Sequence, residues 1–333
     1  MIENLRLTRR PRRNRKSKAI RALTQETYLN AADLVAPFFI VDGDKRRDPI
    51  LEMPGISRLS IDTLILDLKP LIQGGLQAIA LFPKIEPSRK DDQGSYALRA
   101  DGLIPRAIAK IKEAYPHLCL ITDVALDPYT THGHDGLLAP NGDVANDATV
   151  DALAQQALTQ AAAGADIIAP SDMMDGRIQA IRHALDQNGF EDVSLLSYAA
   201  KYASSLYAPF RGAVGVAQVE NDKRGYQMNP ANAREARLEG MLDVEEGADM
   251  LMVKPATFYL DVISQLKEST LLPIAAYHVS GEYAMVQAAR HLVDVDAVFY
   301  EALLSIKRAG ADIIFSYATP NILKCLNGDR LVR

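Results

Sequence analysis

The chain has 333 residues, 48% of them hydrophobic and 24% charged, enough apolar material for two ordinary domains or one large α/β barrel. Its net charge is −5, and its two cysteines, Cys119 and Cys325, lie far apart and outside any Cys-x-x-Cys or Cys/His spacing, which argues against a disulfide scaffold and a structural zinc site. The longest apolar runs are strand-sized, well short of the roughly 20 residues that span a bilayer, and no signal sequence opens the chain, so a soluble cytoplasmic protein is expected.

The first element is a basic arm over residues 1–28. In its first 21 residues Arg6, Arg9, Arg10, Arg12, Arg13, Arg15, Lys16, Lys18 and Arg21 face a single acid, Glu3, and the rest of the chain is acidic overall. Such an arm can bind nucleic acid or an anionic membrane, direct import into an organelle, or embrace the acidic surface of a neighbouring subunit. A single serine, Ser17, and the interruption at Pro11 argue against a transit peptide. The acidity of the rest favours a subunit arm, with neither nucleic acid nor membrane as partner.

Beyond the arm, the 29–333 region alternates short aliphatic runs with longer segments of helical period. Strands are predicted over 34–41, 77–83, 118–125, 165–170, 194–200, 248–255, 272–279 and 311–317, and helices over 61–72, 104–114, 148–163, 176–187, 230–246, 257–267 and 282–308. Most of these strands lack alternation, so both faces should be buried. Gly164-Ala-Asp166, Gly247-Ala-Asp249 and Gly310-Ala-Asp312 each separate a helix from the next strand, as a helix-ending glycine does. Eight such units in one composition regime point to a single closed (β/α)8 TIM barrel. The alternative, an open doubly wound sheet, lacks a Gly-x-Gly-x-x-Gly after its first strand.

A barrel places function at the carboxyl ends of its strands. Those ends carry Asp123 and Asp127, Ser171 and Asp172, Tyr198 and Lys201, Lys254, Tyr277, His278 and Ser280, then Ser316 and Tyr317. Lys201 and Lys254 each close an apolar run. A lysine there loses hydration, which favours the free amine, a nucleophile toward carbonyl compounds. It can also simply extend along apolar surface to reach water. Two such lysines at one mouth suggest a site that captures two carbonyl substrates.

The loop from Asp123 through Asp127, His132 and His134 to Asp135 can hold a divalent metal, with its carboxylates leaning toward magnesium, or can solvate itself. Asp123 and Asp135 can equally supply the acid and base that iminium chemistry needs. The stretch from Tyr207 through Phe210 and Arg211 to Lys223, Arg224 and Gln227 reads as a cationic lid able to clamp a substrate carboxylate, or as an ordinary surface loop. In Pro170-Ser171-Asp172-Met-Met-Asp175-Gly-Arg177, Ser171 or Asp172 can cap a helix.

Ser197-Tyr-Ala-Ala-Lys201-Tyr-Ala-Ser204, Met252-Val-Lys254-Pro255, Tyr277-His-Val-Ser280-Gly-Glu282 and Ala169-Pro-Ser-Asp-Met-Met-Asp-Gly-Arg177 together resemble the porphobilinogen synthase family, also called δ-aminolevulinic acid dehydratase. The likeness runs in order along nearly the whole chain. It implies condensation of two 5-aminolevulinate molecules to porphobilinogen with loss of two waters, in tetrapyrrole biosynthesis, through Schiff bases on Lys254 and Lys201. By the same likeness Ser280 and Tyr317 grip the first substrate's carboxylate, Arg211 and Lys223 the second's, and Gln227 lies on the lid. Ser171, Tyr198 and Phe210 complete the expected contacts. Where the zinc-using branch has three cysteines, this sequence has Ala125, Asp127 and Asp135, so no catalytic zinc is expected. The magnesium-stimulated branch is implied instead, with Asp127 and Asp135 near the second substrate, Glu239 holding an allosteric Mg2+, no organic cofactor, and a homo-octamer wrapped by its arms.

Two rivals are weighed against this. A class I aldolase needs one lysine and a late glycine-rich phosphate loop, where this chain has Ser316-Tyr-Ala-Thr-Pro320. A nucleic-acid-binding protein would use the arm and bind with steep salt dependence.

Overall fold

Eight parallel strands close on themselves into a cylinder. The computed structural model describes residues 7–216 and 222–328; Glu3 and Arg6 of the arm and residues 217–221 of the cationic stretch lie outside them. The described part of the arm holds a short 3-10 turn, Pro11–Arg15, and helix α1, Lys18–Leu23, whose first turn is capped by Ser17 Oγ accepting from the Ile20 amide at 3.2 Å. None of its side chains is buried, and the first to enter the core is Leu29.

Along the chain follow β1 (Leu34–Val41), β2 (Arg47–Pro49), β3 (Ser57–Leu59), α2 (Ile61–Gln73), β4 (Ala78–Lys84), α3 (Leu103–Ala114), β5 (Cys119–Val124), α4 (Asn146–Ala162), β6 (Ile167–Pro170) and α5 (Arg177–Gln187). Then come β7 (Ser194–Lys201), α6 (Ala208–Val214), α7 (Arg234–Glu245), β8 (Met250–Lys254), α8 (Leu260–Ser269), β9 (Ile274–His278), α9 (Ser280–Ala288), α10 (Val295–Ala309), β10 (Ile313–Ser316) and α11 (Thr319–Leu326). Strands β1 and β4 to β10 pair in sequence, and β10 returns to β1 through Leu34 opposite Ile314 and Val35 opposite Phe315. Closure leaves these eight strands without a free edge, and the helices cover the outer faces, which explains the continuous apolar runs.

The repeated Gly-Ala-Asp punctuation has a second role. Gly164, Gly247 and Gly310 take positive φ values of 104°, 100° and 120° to leave the helix. Two residues later the aspartate reaches sideways to the neighbouring strand. Asp166 accepts from the Leu120 amide at 2.7 Å, Asp249 from Leu195 at 2.7 Å and Asp312 from Ile274 at 2.9 Å. Each thus satisfies an amide at the amino-terminal rim, opposite the active face.

Some expectations need correction. The helix expected over 282–308 is two, α9 and α10, because Asp294 accepts from the amides of Asp296 and Ala297 at 3.1 and 3.2 Å and starts a new helix. The helix expected from residue 230 begins at Arg234, and residues 257–259 form a 3-10 turn before α8. The hairpin β2–β3, docked on β1 with Arg58 opposite Phe39, and helix α6 are additional; both are too short to print a period on the sequence.

Candidate active site

The two lysines lie side by side because of a slip in strand pairing. Between β7 and β8, Ser197 is opposite Leu251, but Ala200 is opposite Val253 and Lys201 opposite Lys254. Tyr198 and Ala199 therefore share the place facing Met252, the arrangement of a β-bulge. Tyr198 and Lys201 are three residues apart, and strict alternation would turn them to opposite faces. Instead the Tyr198 ring lies 5.0 Å from Lys254 Nζ, and Lys201 lines the same cavity as Lys254.

Lys254 is 6% exposed and surrounded by the rings of Tyr277, Tyr198, Tyr207 and Phe210, at 4.7, 5.0, 5.2 and 5.2 Å from its nitrogen. Four rings replace the water that an ammonium needs. Burial, with Lys201 adding to it, pulls the Lys254 ammonium down to about 7, although Asp123, Asp127 and Asp135 resist. A large share is then a free amine near neutrality. Tyr207 also donates to the Lys254 carbonyl at 3.0 Å and fixes its backbone.

Lys201 has a different environment. Its nitrogen donates to Asp135 at 2.8 Å and to the Ser171 carbonyl. Lys223, reaching in from the lid, donates to the other oxygen of Asp135 and lies 3.5 Å from Asp127. Burial opposes ionisation of Asp135, but Lys201 and Lys223 outweigh it and hold the carboxyl well below its usual range. Asp123 is the counterpart: burial, reinforced by Asp127 and opposed by Lys254 and Lys201, pushes it up to about 7. One of its oxygens, Oδ1, is buried without a hydrogen-bond partner. Two carboxyls expected to share acid–base duty thus differ, one fixed as an anion and one poised to exchange a proton.

The cavity between the lysines is about 30 Å3, and its walls include Asp123, Asp127, Ser171, Phe210, Arg211, Lys223 and Gln227. Arg211, Lys223 and Gln227 also line a cleft of about 650 Å3 on the solvent side. They form the partition between outside and inside. The partition is anchored from afar: Arg58 on β3 donates to the Ala213 and Gly212 carbonyls at 2.5 and 2.8 Å, and Lys90 to Gly215 at 3.0 Å, satisfying the free end of α6.

Of the expected contacts, Ser280 and Tyr317 stand apart from the small cavity. The Ser280 hydroxyl accepts from the Phe210 amide at 3.0 Å and lies 3.3 Å from the Leu206 carbonyl. Gly281 beside it has no room for a Cβ, which would sit 2.5 Å from the Leu206 oxygen. Tyr317 is bonded to Tyr277 through their hydroxyls at 2.9 Å and stacks on Phe39. Tyr277 links it to the Lys254 cage. Tyr207 and Tyr277, two walls of that cage, lie outside the residues the sequence assigns a role.

Glu239 is on α7, facing a separate cleft of about 770 Å3 with Asp175 and Glu235. Burial raises its pKa, Arg177 opposes, and Asp243, Asp175 and Glu235 add to the rise. A carboxylate so placed gains from a cation, and oxygen donors suit magnesium. Among the described residues no three His, Cys, Asp or Glu side chains group as metal ligands, so an ion at Glu239 would keep most of its water.

The family described as Delta-aminolevulinic acid dehydratase matches residues 8–325. The chain belongs to that family. Its relatives include the Chlamydia pneumoniae Delta-aminolevulinic acid dehydratase, 52% identical over 98% of both chains, and the Bradyrhizobium diazoefficiens protein of that name, 50% identical over 93% of this chain and 89% of its own. The chloroplastic protein of Glycine max is 49% identical over 99% of this chain and 81% of its own. The fold is similar to the crystal structure of the Toxoplasma gondii delta-aminolevulinic acid dehydratase in complex with the reaction product porphobilinogen, with a TM-score of 0.95, 46% identity, and coverage of 97% of this chain and 92% of that one. Family membership disposes of the aldolase reading. Among the described residues no helix is long and apolar enough to cross a membrane.

Proposed function

We propose that the protein is a porphobilinogen synthase that condenses two 5-aminolevulinate molecules, each held as a Schiff base, one on Lys254 and one on Lys201. The observation that carries this is the level pairing of the two lysines in one cavity, one of them caged and with its pKa drawn down to about 7. A single-lysine reaction has no use for the second.

In this reading Lys254 attacks the ketone of the substrate that supplies the propionate side, and water leaves as the imine forms. Lys201 does the same with the substrate that supplies the acetate side and aminomethyl group. Holding both adducts at adjacent strand ends replaces a bimolecular collision. Loss of a proton turns one adduct into an enamine whose carbon attacks the imine carbon of the other. The lysine on the attacked carbon then leaves as an amine with loss of a neighbouring proton. The free amino group of that same substrate adds to the remaining imine carbon and expels the second lysine, and loss of a last ring proton gives the pyrrole with both lysines returned as amines. The two waters lost at the lysines account for the stoichiometry. Asp123, with its pKa raised to about 7, is the residue we assign to proton exchange; Asp135 holds Lys201 and Lys223 in place.

The 30 Å3 cavity is far below the ~300 Å3 at the lower end for small-molecule pockets. Entry therefore requires the partition of Arg211, Lys223 and Gln227 to move outward. Those residues then close on the second substrate's carboxylate, while Ser280 and Tyr317, beside the Lys254 cage, take the first's. We assign the enzyme to the magnesium-stimulated branch, in which Glu239 holds an allosteric Mg2+ and no zinc is required. The exposed basic arm fits a role in covering a neighbouring subunit of an octamer, and a cytoplasmic location fits two cysteines that form no disulfide.

The test is incubation with aminolevulinate alone, followed by colorimetric detection of the pyrrole, and borohydride trapping with peptide mapping. Adducts at Lys254 and Lys201, with loss of turnover in Lys254→Ala, are expected. Normal turnover in both single alanine variants would defeat the double Schiff-base reading.

A further inference from the structure

The bulge that brings the lysines level is held from outside the barrel by a buried ionic cluster. Arg177, the first residue of α5, is 2% exposed and reaches β7 where the register slips. Its Nη2 donates to Ser197 Oγ at 3.1 Å and to the Tyr198 carbonyl at 3.4 Å. Its Nη1 donates to Asp243 of α7 at 3.2 Å, and Ser197 Oγ also donates to Asp243. Asp172, just after β6, lies 3.7 Å from Arg177 Nε.

A bulge leaves part of the strand ladder unmade. Here the guanidinium gives the Tyr198 carbonyl a partner and grips the side chain before it. Stability alone does not account for the cluster, since a buried ion pair is often replaceable by apolar residues without loss. A register without the slip would pair Lys254 with Ala200 and turn Lys201 to the helix side. We infer that Arg177, Asp243 and Ser197 are positioning residues, which pin the β7 bulge and so hold Lys201 on the same face and at the same height as Lys254. The inference rests on the two-lysine reading above.

The experiment replaces the pair by apolar residues of similar size, Arg177→Met with Asp243→Leu, in the full chain. The expected result is a folded protein by circular dichroism that still forms the borohydride-trapped adduct at Lys254 but turns over about 100-fold more slowly, the scale of loss for a displacement of about 1 Å. Turnover within two-fold of the parent in that variant overturns the inference. If the double variant does not fold, Ser197→Ala decides. A lower kcat with unchanged melting, restored by Ser197→Thr, supports the pin, and an unchanged kcat overturns it. The parent, assayed alongside, separates the two failures. No pyrrole from the parent removes the two-lysine reading and the inference with it, whereas equal pyrrole from parent and variant removes only the pin.

Discussion

Replacing Phe210 tests whether dryness or ring electrostatics sets the state of Lys254. The fall of its pKa from 10.5 to about 7 corresponds to about 5 kcal/mol against the ammonium at 1.36 kcal/mol per pKa unit. The rings oppose that fall, because each aromatic face favours a cation by roughly 0.5–1 kcal/mol. Loss of hydration, several kcal/mol per buried ion, outweighs them. If four walls share the exclusion of water equally, Phe210→Ser returns about 1 kcal/mol, lifting the pKa to about 8 and cutting the free amine at pH 7 from about one half to about one tenth. Phe210→Leu removes the ring but keeps water out, so its midpoint should stay or fall slightly. The assay is the rate of borohydride trapping of aminolevulinate at Lys254 across pH 5 to 10, read by peptide mass, which does not depend on turnover. An unchanged midpoint in Phe210→Ser, or the same upward shift in both variants, would refute the argument from exclusion of water.

Three other outcomes follow from the same geometry. Lys254→Met should raise the melting temperature: a lysine with a folded pKa of about 7 against 10.5 costs stability fully below about pH 7, and the cost disappears as pH rises through about 10.5, so the gain should shrink over that window in melts taken from pH 6 to 11. Asp135→Asn should destabilise by about 3–5 kcal/mol, since two buried lysines lose their shared anion; because the folded pKa of Asp135 lies below the ordinary 3.8, the loss in denaturant titrations should be full above about pH 4 and diminish below it. Magnesium should raise turnover in the metal-stripped enzyme, with the response lost in Glu239→Gln, and stimulation by zinc with magnesium inert would contradict the assignment.

The catalytic rim was legible because a barrel converts chain order into position. Once the eight aliphatic runs are strands, Lys201 and Lys254 share a mouth with Asp123, Asp127 and Ser171. What alternation normally reveals was hidden in β7, since Ser194-Leu-Leu-Ser-Tyr-Ala-Ala-Lys201 is buried on both faces and a bulge leaves no mark on an unalternating run. The different states of Asp123 and Asp135 were equally out of reach. They depend on Lys223, 88 residues from Asp135 in sequence, and on Lys254 from another strand. The cage was half visible: Tyr198 and Phe210 carried an expected role, whereas Tyr207 and Tyr277 acquire theirs only when β7, β9 and the start of the lid converge. Likewise, nothing in Ser57-Arg58-Leu59 shows that this hairpin closes the end of α6.

Two amines so close could not both be charged without strong repulsion, and the surroundings decide which gives way. Asp135 stands 2.8 Å from Lys201, whereas Lys254 has rings about it and its carboxylates further off. Lys254, caged by rings and with its ammonium drawn down to about 7, is the amine we take to attack first. Of the two buried carboxyls, Asp135 is held as an anion by the two lysines it binds, which leaves Asp123, pushed up to about 7, as the one we assign to proton exchange. The bulge of β7, the cage around Lys254 and the split between the two aspartates are thus parts of one device. Register puts the nitrogens together, burial draws the charge from one, and Asp135 pairs with the other.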